Sequence, residues 1–201
     1  SNSWFLTTFV REAGAHAFRV HTIPETSEQL QMIIEDQLVR ADLIVISGES
    51  GDESFDLITS VISKLGEIKV VIPNLAESGK HNYGLIGPEK TPVVTLPGDP
   101  VGNYLSAEIF IRPMILKMSG KTDIYRTTKK VKLSKTITST SGKSRYLRAV
   151  INSDDQAVAL EDQNSLTSIS SSTCLISLNE KVEKVSAGEL VEVVIINSDK
   201  L

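Results

Sequence analysis

Two glycine-containing segments carry residue types that bind anions. One is Ser47-Gly48-Glu49-Ser50-Gly51-Asp52-Glu53-Ser54-Phe55-Asp56 and the other Leu96-Pro97-Gly98-Asp99-Pro100-Val101-Gly102. Each follows a β-branched apolar run and leads into a stretch of helical period. Glycine there exposes backbone N–H groups, and the helix that follows adds the positive end of its dipole, so each turn can hold a phosphate-like group. The same turns also serve as plain connections between strand and helix. The first carries Glu49, Asp52, Glu53 and Asp56. Two like charges ~4 Å apart repel by about 4 kcal/mol at an effective dielectric of 20. Either a Mg²⁺ ion bridges such carboxylates to a ligand, or they face solvent and complement the helix dipole. Solvent is the reading for three of them. Asp56, inside the first helical turn, is the one expected to face inward.

Other reactive side chains lack partners. His16, His21 and His81 have no histidine or cysteine at metal-ligand spacing and are expected on the surface or in loops. Ser47 lacks the G-x-S-x-G surroundings of a nucleophile elbow. Lys129, Lys130, Lys132 and Lys135 read as a solvated strand edge. Cys174, between Thr173 and Leu175, reads as buried and inert.

The elements that must position the two turns follow from periodicity. A helix is predicted over Ser3–Gly14, with Trp4, Phe5, Thr8 and Phe9 on one face and Gly14 at its end. A short strand follows at Ala17–Val20. Thr26 to Gln29 forms a T-x-x-Q capping box before a helix whose Leu30, Ile33, Ile34 and Leu38 make one stripe. The unbroken Leu43–Ile46 run predicts a central parallel strand buried on both faces. Leu57, Ile58, Val61, Ile62 and Leu65 make another helical face closed by Gly66. Strands are expected at Val70–Ile72 and Val93–Leu96, and a last helix at Val101–Met118, which Pro113 should kink or divide. Past Gly120 the texture changes to short alternating strands near 130–138, 145–151, 157–160, 173–178 and 190–196. Ser141-Gly142 and Ala187-Gly188 mark turns between them. The expected organisation is an α/β domain over residues 1–120, with a mostly parallel sheet, then a small antiparallel β domain over 121–201.

The 201 residues are 40% hydrophobic and 23% charged, enough to fill a core. A net charge of −4 gives no broad basic footprint for nucleic acid. The longest apolar runs are four residues, far short of the ~20 that span a bilayer. One cysteine and three histidines exclude a disulfide framework and argue against a Cys/His zinc site. The chain opens on Ser1 rather than methionine, and reads as a fragment, a processed form or a tagged product.

At the two turns the sequence resembles the MoeA/gephyrin family of molybdopterin molybdotransferases. The family's D-S-N segment and following helix ending E-A-G are similar to Ser1-Asn2-Ser3 and Glu12-Ala13-Gly14. Its A-D-L-V-I-T-S-G-G is similar to Ala41-Asp42-Leu43-Ile44-Val45-Ile46-Ser47-Gly48. Its T-P-V-F-G-L-P-G-N-P-V-S is similar to Thr91 through Gly102, and its F-E-L-F-V-R-P to Ala107 through Pro113. The end of the chain, with Ala187-Gly188-Glu189-Leu190-Val191-Glu192-Val193, resembles the family's last domain.

This resemblance implies a three-layer MogA-like α/β domain followed by the family's C-terminal β domain. It implies a homodimeric, cytoplasmic protein of molybdenum-cofactor biosynthesis. Its substrates would be molybdopterin adenylate and molybdate, and its metal Mg²⁺. Ser47 and Gly48 match the start of the phosphate-binding turn, and Pro97 and Pro100 the paired prolines around Gly98 and Asp99. Asp56 matches the last aspartate of the glycine loop and is the catalytic and metal-binding candidate. The expected mechanism has backbone N–H groups of Gly48 and Gly98 holding phosphate, Asp56 positioning Mg²⁺ or water, and Lys80 offsetting charge. Glu49 and Glu53 stand where the family has glycine, where a side chain blocks close backbone approach. The family's K-P-G-K-P segment falls near Leu75–Tyr83, where only Lys80 supplies a basic contact. These departures support an alternative: a catalytically degenerate relative that acts as a protein-binding scaffold.

Overall fold

The computed structural model describes residues 2–20, 26–48, 52–71, 73, 75–76, 79–139 and 142–197. The chain forms two compact units, one of residues 1–73 with 78–120, the other of 74–77 with 121–201.

In the first unit, helix α1 (Asn2–Glu12) buries Leu6 and Phe9, with Gly14 adopting φ +94° beyond its end. Trp4, expected on that apolar face, is instead 64% exposed, its ring covered by the Arg19 guanidinium at 3.7 Å. The strand expected at Ala17–Val20 does not form. Residues 15–20 alternate in burial but join no ladder among the described residues. Helix α2 (Ser27–Leu38) is capped by Thr26, whose Oγ1 accepts from the Gln29 N–H at 3.2 Å. Its buried Leu30 and Ile34 pack with Ile58, Val61 and Ile62 of helix α3 (Asp52–Leu65) on one face of the sheet.

The sheet contains β1 (Ile44–Ser47), β2 (Gly66–Val71), β3 (His81–Ile86) and β4 (Thr91–Leu96), in the order β1-β4-β3-β2. The β1–β4 pair is parallel and the other two are antiparallel, so the described sheet is mixed. The short turn from Gly87 to Lys90, closed by a 3.2 Å bond from Lys90 N–H to Gly87 O, can join only antiparallel neighbours. Strand β1 stands at one end of the described sheet rather than at its centre. Both of its faces still contribute to cores, Ile44 and Ile46 to one, Leu43 and Val45 to the other. Gly66 does not cap α3. It opens β2, where a Cβ would run into the Leu85 carbonyl oxygen.

The opposite face is covered by α1 and by a continuous helical path: α4 (Pro100–Ser106), a π-helical turn (Ala107–Ile111) and α5 (Arg112–Met118). Pro113 lies in the first turn of α5, where its missing N–H costs least, and the Arg112 N–H bonds back five residues to Ala107 O. The wide turn thus continues the helix past the proline.

The second unit is a closed five-stranded barrel. Its strands are β5 (Thr128–Leu133), β7 (Arg145–Ile151), β8 (Gln156–Ala159), β9 (Cys174–Leu178) and β11 (Leu190–Ile195), in the order β11-β5-β8-β7-β9. A two-stranded ribbon of β6 (Ile137–Thr138) and β10 (Lys184–Val185) accompanies it. All barrel pairings are antiparallel except β5 with β8. Strand β5 is paired on both sides, so its exposed lysines do not mark a sheet edge. Lys129 meets Asp155 at 2.6 Å. The serine-rich stretch after Asn164 forms α6 (Leu166–Ser171), capped by Ser165.

Candidate functional site

Topology gathers the two turns at one rim of the first unit. In the parallel β1–β4 pair Ser47 lies opposite Leu96, so the segments after both strands leave side by side. Antiparallel β3 begins at that same rim, which brings Gly79 and Lys80 there. A Cβ on Gly79 would sit 3.9 Å from Pro97 Cγ, and Lys80 Nζ lies 5.8 Å from the Phe55 ring, next to Asp56. Ser47, Gly48, Lys80, Pro97 and Gly98 therefore share one rim, with Phe55 of α3, the residue before Asp56, beside Lys80. Glu49 and the side chain of Asp52 lie outside the described residues, as does His21.

Local bonding differs from the expected phosphate cradle. The Gly48 N–H is directed back to Leu96 O at 3.4 Å. Asp99 caps α4: its Oδ1 accepts from the Gly102 N–H at 2.7 Å, and Pro100 contributes no N–H. The first turn of α4 thus has a carboxylate of its own where an anion would sit. Asp56 and Glu53 are exposed on α3, because that helix turns Ile58, Val61 and Ile62 to the core. The inward placement expected for Asp56 is not found. Among the described residues no three acidic, histidine or cysteine side chains gather around a common cation position. One exposed carboxylate does not by itself make a Mg²⁺ site, since Mg²⁺ draws its remaining ligands from water and substrate phosphate.

Two asparagine amides join the turns instead. Asn103 Nδ2 donates to Ser47 Oγ and to Pro97 O, both at 3.0 Å. Asn2 Nδ2 donates to Gly98 O at 2.7 Å and to Ser47 Oγ at 3.4 Å. Below them lies a buried polar layer. His81, expected at the surface, is only 4% exposed. Its Nδ1 is 2.9 Å from Thr95 O, which can only accept, so Nδ1 carries a proton, and Nε2 lies 3.5 Å from Ser106 Oγ. The orientation of the Asn82 amide is fixed in the same way. Thr59 spends its hydroxyl proton on Phe55 O at 2.7 Å, so the 2.8 Å contact requires Asn82 Nδ2 as donor to Thr59 Oγ1. Asn82 Oδ1 and Asn103 Oδ1 are buried and have no hydrogen-bond partner among the described residues.

Sequence reasoning missed Asn82, Asn103, Thr59 and Thr95. The available signal was polarity out of place: Asn103 interrupts an otherwise apolar helix start, and Asn82 lies in an alternating run that forms β3. A cleft of about 430 Å³ opens at the other end of the sheet, beside Ala41, Asp42, Thr91 and Pro92, remote from these turns.

Residues 1–117 match a family described as "Probable molybdopterin binding domain", and residues 130–196 match the "MoeA C-terminal region (domain IV)". Molybdopterin molybdenumtransferase 1 of Mycobacterium tuberculosis is 29% identical over 96% of this chain and 47% of its own length. Molybdopterin molybdenumtransferase 2 of the same organism is 30% identical over 96% of this chain and 49% of its own. The crystal structure of the molybdopterin biosynthesis MoeA protein from Pyrococcus horikosii superposes with a TM-score of 0.80 at 26% identity, over 97% of this chain and 47% of that one. The chain spans about half the length of the curated relatives it matches.

Proposed function

Because this chain belongs to the MoeA family, as its MogA-like molybdopterin-binding and C-terminal regions, we propose that its rim binds molybdopterin adenylate for molybdate insertion. The observation that carries this reading is the joining of the two turns at one rim, with Ser47 bonded by the same amides that hold Pro97 and Gly98. In this mechanism Ser47 donates its hydroxyl proton to a ligand oxygen. Lys80, exposed at the same rim, offsets phosphate charge. The rigid prolines Pro97 and Pro100 fix the second turn around Gly98. Asp99 holds α4 rather than the ligand, and Gly48 helps through its lack of a side chain rather than through its N–H. Asp56 is the carboxylate assigned to hold a Mg²⁺ ion together with ligand phosphate, and such an ion would screen phosphate charge. The proposal includes the homodimer and the cytoplasmic location typical of such biosynthetic enzymes. No helix among the described residues is long and apolar enough to cross a membrane.

Calorimetric titration of the chain with molybdopterin adenylate tests this. Saturable binding is expected, weakened about tenfold by Lys80→Ala through loss of a charge-assisted contact. No heat at any ligand concentration would exclude the reading. The Asp99 carboxylate at the head of α4 favours a second reading, the ligand-free scaffold. That reading stands if wild type and Asp99→Asn are both silent in the same titration.

A further inference from the structure

Resting on the ligand site proposed above, we infer that Asn103 is a positioning residue: its amide, with that of Asn2, makes the Ser47 hydroxyl a donor only, aimed at an acceptor atom such as a phosphate oxygen. Asn103 is fully buried in the first turn of α4, beside the buried Val101, Tyr104 and Leu105. Burying an amide is unfavourable unless its groups are paired, and here only half of them are. Both N–H groups are used, on Ser47 Oγ and Pro97 O, while Oδ1 has no partner among the described residues. An apolar side chain at this position would avoid that orphaned oxygen, so what the asparagine contributes is its pair of donors. Those donors reach two different strand exits. Pro97 O can only accept, which fixes the orientation of the amide without appeal to the neighbouring hydroxyl.

The consequence falls on Ser47. A serine oxygen has two acceptor sites and one proton. Asn103 takes one site at 3.0 Å and Asn2 the other at 3.4 Å. The proton is what remains, and no described hydrogen bond uses it. Without the two amides nothing described fixes the direction of that proton, and a ligand would lose a donor already aimed at it. The clamp therefore selects against ligand groups that themselves donate at this point.

A double-mutant cycle in the full chain separates this role from a merely structural one. Binding of molybdopterin adenylate is measured for wild type, Ser47→Ala, Asn103→Ala and the double variant, with circular dichroism and Tm recorded for each. Each single variant is expected to weaken binding about tenfold, and the double variant no more than about twofold beyond either single, because both remove the same oriented proton. Multiplied losses near a hundredfold, or unchanged affinity in Asn103→Ala, would overturn the inference and leave the site reading intact. Silence from the wild type removes the site reading and this inference together. If Asn103→Ala fails to fold, the half-buried Asn2→Ala replaces it in the same cycle, with the same expected non-additivity and the same overturning results.

Discussion

At the scale of single residues, the rim is decided by which atoms are left over once local bonds are made. Thr59 Oγ1 shows how sharply this can be tested. It accepts from Asn82 Nδ2 and gives its proton to Phe55 O. Thr59→Val keeps the shape but strands a buried amide donor, and should cost about 1–3 kcal/mol in urea unfolding. Asn82→Leu removes the stranded Oδ1 along with the donor, and should cost clearly less. Equal losses in the two variants would contradict the assigned amide orientation. The same reasoning explains why the glycine and carboxylate patterns did not predict that the Gly48 N–H bonds to Leu96 O or that Asp56 is exposed. The sequence makes Gly48 and Asp56 conspicuous. Whether an N–H is free or a side chain faces inward depends on partners 40 to 100 positions away, such as Asn2 with Gly98.

At the scale of elements, helix α4 joins stability to ligand binding through Asp99. Its Oδ1 caps the helix at Gly102, which both a carboxylate and an amide oxygen can do. Asp99→Asn should therefore leave Tm nearly unchanged while removing a negative charge from the rim, and phosphate-bearing ligands should bind more tightly. Asp99→Ala should lose about 1 kcal/mol by thermal unfolding, because no oxygen remains to cap. Much at this scale was legible from periodicity: the stripe Leu30–Ile34–Leu38, the face Ile58–Val61–Ile62, Gly14 past α1, and the barrel strands between their turns. Strand β3 was not, because Gly84 and the polar start His81-Asn82 disguise an alternating strand. Nor was the missing ladder at Ala17–Val20, since a strand needs a neighbour and local propensity does not provide one. Pro113 announced an interruption, but the π-helical turn that carries the helix past it is a packing solution rather than a local preference.

At the scale of the whole molecule, the two units have separate cores, and the barrel core offers a pH-sensitive test of its own integrity. Cys174 is fully buried among Leu147, Ala149, Ile176 and Val193, and burial pushes its thiol up to about 11 from an ordinary 9.0. The neutral thiol is thus favoured in the fold more than in the unfolded chain. A pKa raised on folding gives a contribution that is complete below the unfolded value and is lost as pH climbs through the folded one. The barrel should accordingly keep this contribution up to about pH 9 and lose on the order of 2 kcal/mol between there and pH 11, where the unfolded thiol ionises and the buried one resists. Cys174→Ala, which cannot ionise, should show a shallower decline in urea-unfolding free energy over that window, after a constant loss for the missing sulfur. In the native protein the thiol should react with iodoacetamide only on unfolding, at a rate that tracks denaturant concentration. Alkylation at pH 8 without denaturant would mean that the barrel opens locally at β9, and the closed core that the strand pairing requires would have to be given up.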